Sequence, residues 1–173
     1  MQSICVDTIG CLEQGLDLLG NLTEEQYCEG DARLQTGTVG AHIRHNTDHY
    51  ECLFEGILTG HVHYDRRGRN PDTETQLQAG QRALQSIVDR VSGLEDSALD
   101  QPLHIHMHTS TAGTESVGQS NTCRELQFLL SHTIHHYALI AILCRVKGIA
   151  PPENFGVAPS TLNHRNQQTS PNH

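Results

Sequence analysis

His132 and His136 stand four residues apart in the stretch TCRELQFLLSHTIHHYALIAILCRVK, from Thr122 to Lys147. On a helix that spacing puts both imidazoles on one face, where they can reach one ion. Three more histidines, His42, His45 and His49, recur at helical spacing in TVGAHIRHNTDHYECLFEG. Imidazole is the commonest metal ligand and the usual acid–base group near neutral pH. Three neutral imidazoles leave coordination positions open for water or another ligand, the pattern of a reactive site. Such an ion acidifies a bound water and deprotonates a bound thiol. Nitrogen-only ligation suits zinc, nickel, iron or copper without choosing among them.

Two long helices must position these rings. Thr122 and Glu125 have capping-box spacing, and Gly148 with Pro151 and Pro152 supplies a stop, so the later helix is expected over Thr122–Lys147. At about 100° per residue, Leu126, Leu129, Thr133, Tyr137, Ile140 and Cys144 share one stripe, roughly 60° to either side of Leu126. His132 and His136 lie on its shoulder, at roughly −80° to −120°, while His135 falls opposite, toward water or a partner subunit. The earlier helix is expected from about Thr38 to Leu58, between Gly37 and Gly60. Its core stripe is Val39, Ile43, Tyr50, Leu53, Phe54 and Ile57. His42, His45 and His49 occupy the matching shoulder, at roughly −60° to −120° from Val39. The third ligand is expected among them, and spacing leaves His45 and His49 unseparated. Arg44, Asp48, Glu51 and Glu55 point away and should be solvated.

Elsewhere, residues 3–20 read as a first helix and about Asp72–Val91 as a third. Thr23–Tyr27 could make one helical turn. The segment HVHYDRRGRNP is a polar connection with a basic knot, Tyr64–Arg69, that either pairs with acidic surface or steers an anionic substrate. PLHIHMHTS alternates with period two, and Gly113 could turn it into a second strand at Glu115–Gly118, a small hairpin between helices three and four. His104, His106 and His108 share one face of it. His61, His63, His164 and His173 read as plain surface residues. The tail, about 149–173, has little periodicity, and its last residues are expected to be disordered.

The 173 residues suggest one domain, and a formal net charge of −9 argues against nucleic acid and anionic membranes as partners. No apolar run suggests a bilayer span, and no secretory signal is evident. Six cysteines without a C-x-x-C pair read as reduced thiols packed in helices of a cytoplasmic protein.

The stretches TVGAHIRHNTDHYECLFEG and RELQFLLSHTIHHYALIAI resemble the DinB-like family of metal-dependent hydrolases, and HYDRRGRNPDTE with FGVAPSTLNHR looks like a subgroup of it. The similarity runs from about Ile4 to Arg165. It implies an all-α fold, an up-down-down-up four-helix bundle, commonly a homodimer. It also implies a divalent transition metal held by three histidines, zinc or nickel first and iron after them. Matching TVGAHIRH to the family motif places the helix-two ligand on His45, with His132 and His136 as the other two. His42 and His49 then line the pocket, and His49 becomes a candidate proton relay. The implied activity is small-molecule hydrolysis or thiol S-transfer, with a low-molecular-weight thiol as one candidate partner. The alternative is a non-catalytic metal- or ligand-binding, stress-linked homodimer.

Overall fold

The computed structural model describes residues 2–111 and 113–169. Four long helices carry the core: α1 (Ser3–Leu19), α3 (Val39–Thr59), α5 (Leu77–Ser92) and α7 (Thr122–Val146). α1 packs on α5 and α7, and α3 packs on α5 and α7. Leu12, Ile43, Leu53, Leu84, Leu126 and Tyr137 are fully buried where these helices meet. The apolar stripes read from helical periodicity are the faces turned inward.

The chain is nevertheless not the all-α four-helix bundle expected from the sequence. Among the described residues there are eight α-helices and a three-stranded mixed sheet. One departure lies in the expected third helix. Asn70 caps a short α4 (Pro71–Thr75) by accepting from the Asp72 N–H, and Pro71 sits in its first turn. Extended backbone at Gln76, φ −133° and ψ 117°, then separates α4 from α5. Other short helices are α2 (Glu24–Cys28), which Thr23 and Gln26 close with a capping box, and α6 (Asp96–Leu99).

A second departure is the sheet. The segment after α3, read as a connection, begins with a strand, β1 (His61–His63). Gly60, at φ +79°, ends α3 in the left-handed conformation, and its carbonyl accepts from the His104 N–H at 2.9 Å. Val62 turns inward and is fully buried, while on the other face His61 is exposed and His63 half-buried. β1 pairs parallel with β2 (Pro102–His108), and β2 pairs antiparallel with β3 (Glu115–Asn121). Gly56 makes this packing achievable: a Cβ there would overlap the side chain of Val62.

α7 starts differently from the expectation. Asn121 is its N-cap, accepting from the Arg124 N–H at 2.8 Å. The Glu125 carboxylate turns aside instead, accepting from Tyr64 Oη at 2.7 Å and Ser120 Oγ at 2.6 Å. α7 is also long and apolar enough to cross a membrane by length and composition, against the sequence reading. Its apolar stripe packs on α1 and α3. Asp48, expected in solvent, is only 8% exposed, with Arg44 alongside at 3.9 Å. The tail carries a further helix, α8 (Pro159–Thr169). The expectations for the end of the tail and His173 lie outside the described residues.

Candidate metal centre

α3 and α7 bring their histidine shoulders face to face. His45 Nε2 and His132 Nε2 lie 2.9 Å apart. The ring of His136 is 4.5 Å from that of His45 and 4.6 Å from that of His132, between centroids. One nitrogen from each of His45, His132 and His136 falls within 4.8 Å of the others. Zinc–nitrogen bonds run about 2.0–2.1 Å, so small side-chain rotations suffice to seat these atoms on one ion. The donor set therefore fits the divalent metal that the sequence suggested.

The remaining two α3 histidines flank this triad. His42 Nδ1 lies 2.9 Å from His136 Nδ1, which leaves Nε2 as the free nitrogen of His136. A hydrogen bond at the far nitrogen is the usual way to fix the tautomer of a ligating histidine. His49 Nδ1 donates to the His45 carbonyl at 2.6 Å, and its Nε2 faces Arg67 Nη1 at 3.3 Å. Both nitrogens of the candidate relay are thus engaged. His135 is exposed, as expected, but its ring lies 5.4 Å from that of His136, at the edge of the cluster.

Burial is the main cause that lowers the proton affinity of this cluster. It holds His45 and His136 down to about 3, with neighbouring imidazoles adding to the effect. His49 is held to about 4 by burial, and burial also lowers His42 and His132. All five rings are neutral at pH 7, the form that ligates metal.

The basic knot contributes one residue here. Arg67 donates to the Tyr64 carbonyl at 2.6 Å while facing His49. Two aromatic rings wall the cluster: Tyr64 stacks on His49 and Phe128 on His132. Beyond these rings lies a cavity of about 300 Å³, lined by Tyr64, Ile105, Met107 and Phe128 and edged by Arg124 and Glu125. Helical periodicity located the imidazoles. It gave no sign of Arg67 or Tyr64, because they reach the site from a non-helical segment.

No family model matches this chain. It is similar to FK506-binding protein 5 of Rhizopus delemar, at 29% identity over 162 residues. That match covers 92% of this chain and 37% of the relative's length. The expected membership of the DinB-like family is thereby overturned: no model supports it, and the relative that spans nearly the whole chain has a different name. The expected hydrolase or thiol-transferase activity rested on that membership and falls with it, as does the stress-linked role of its non-catalytic alternative; the geometry of the histidine cluster does not depend on it. The relative's name speaks of binding FK506, not of metal-dependent hydrolysis or thiol transfer.

Proposed function

We propose that this chain binds a divalent transition metal through His45, His132 and His136. The reading rests on one observation: three neutral imidazoles from two packed helices offer nitrogens within 4.8 Å of one another. Zinc and nickel suit such a donor set, with iron after them. His42 would orient His136, and His49 would brace the backbone of α3 beneath His45. Three protein donors leave room for a further ligand on the ion. The test is the zinc stoichiometry of chelator-stripped protein and of His136→Ala. One equivalent is lost in the variant. Unchanged stoichiometry in a variant with native circular dichroism overturns the site.

The relative's name favours a second reading, in which the chain takes an apolar ligand of the FK506 kind. The cavity beside Tyr64 and Phe128, about 300 Å³, is at the small end of ligand pockets, roughly 300–1,000 Å³. Calorimetric titration with FK506, with Phe128→Ala as the control, decides it. Binding that weakens in the variant supports this reading, and no binding to the wild type removes it.

A further inference from the structure

A second imidazole cluster lies on the sheet. The parallel register pairs His61 with His104 and His63 with His106. Because side chains alternate along each strand, this register sets H-x-H of β1 beside H-x-H of β2 on one face. The rings confirm it: His63 stacks on His106 with centroids 4.1 Å apart, and His61 stacks on His104 at 5.1 Å. His61 Nδ1 is 3.0 Å from His106 Nε2.

β3 then adds a carboxylate. Glu115 pairs with His108 in the strand register, and its Oε2 reaches His106 Nδ1 at 3.4 Å. Arg66 approaches the other oxygen, Oε1, at 3.7 Å, which leaves Oε2 turned toward the imidazoles. One donor atom from each of His63, His106 and Glu115 lies within 4.8 Å of the others. His63 Nδ1 is buried and has no hydrogen-bond partner. A buried polar nitrogen without a partner is costly unless something absent from the protein's own side chains satisfies it. A cavity of about 480 Å³ opens beside His61, His63 and Arg66, giving access from solvent.

We propose that His63, His106 and Glu115 form a second divalent transition-metal site, separate from the triad between α3 and α7. Two nitrogens and one carboxylate oxygen make a donor set suited to zinc, with bonds of about 2.0–2.2 Å. His61, against His106, is the nearest additional imidazole. The parallel pairing of β1 with β2 builds the site, so it depends on tertiary structure and not on local sequence.

The probe is zinc alone, titrated into the full chelator-stripped chain against a chromophoric competitor. The wild type binds two equivalents. His106→Ala loses one, and Glu115→Gln weakens one by at least tenfold while the other is unchanged. His136→Ala removes the other equivalent and leaves this one. The proposal is overturned if His106→Ala and Glu115→Gln keep wild-type stoichiometry and affinity, whatever becomes of the triad. Circular dichroism checks the fold of each variant, and His63→Ala replaces His106→Ala if that chain misfolds. If His136→Ala changes nothing while His106→Ala loses an equivalent, the triad reading fails and this one stands.

Discussion

Glu125, in the first turn of α7, is 7% exposed beneath Tyr64. Its buried carboxylate accepts from Tyr64 Oη and Ser120 Oγ. Tyr64→Phe removes one of these donors. Hydrogen bonds to charged groups contribute about 1.5–3 kcal/mol, so urea unfolding should report a loss of that size. A Tyr64→Phe chain of wild-type stability would mean that the buried carboxylate gains little from this donor. The same tyrosine stacks on His49, which no periodic pattern could have disclosed. The shoulder histidines were legible because they lie on helices, where spacing dictates direction, but spacing did not separate His45 from His49. The sheet histidines had a signal too, two H-x-H runs at His61–His63 and His104–His106. That signal identifies a shared face only once the strands are known to be neighbours.

Among the elements, α3 is the one on which both clusters depend. It carries His45, packs against α7, and also supports β1. Gly56 packs directly against β1, since a Cβ there would overlap Val62. Gly56→Ala should therefore destabilise by about 1–3 kcal/mol, the range for overpacking a tight core. Gly10 in α1 provides the contrast, being exposed with nothing within 4 Å of a Cβ placed there. Gly10→Ala should instead stabilise, by about 0.5–1 kcal/mol, through helix propensity and lower unfolded-state entropy. Urea midpoints of the two variants check both signs, and equal shifts would contradict the packing described for Gly56. The long helices were readable from their stripes. β1 was not: it has three residues, and its parallel partner follows only after α4, α5 and α6. Non-local pairing of so short a strand leaves little trace in local sequence, and the break at Gln76 is similarly a matter of tertiary fit.

At the scale of the whole molecule, the buried imidazoles make stability depend on pH in a definite direction. His45 and His136 are held to about 3 and His49 to about 4, whereas an unfolded imidazole titrates near 6.5. Below pH 6.5 the unfolded chain therefore binds protons that the native chain refuses. Native stability of the metal-free protein should fall as pH drops from about 6.5 toward about 3, and these groups should contribute no slope above that window. Zinc should act in the opposite sense: binding to the proposed native triad would stabilise the fold by about 2.7 kcal/mol at a hundredfold excess over its dissociation constant. Urea unfolding between pH 7.5 and pH 5, with chelator and with zinc, separates the two effects. With chelator the midpoint declines below pH 6.5, and the double substitution His45→Asn with His136→Gln makes that decline shallower. With zinc at pH 7.5 the wild-type midpoint should rise, and the double substitution should lose the part of that rise that the triad supplies. A chelated wild type whose midpoint is level from pH 7.5 to pH 5 would mean that these rings titrate as freely in the fold as outside it, and that α3 and α7 do not hold them in the neutral form a metal needs.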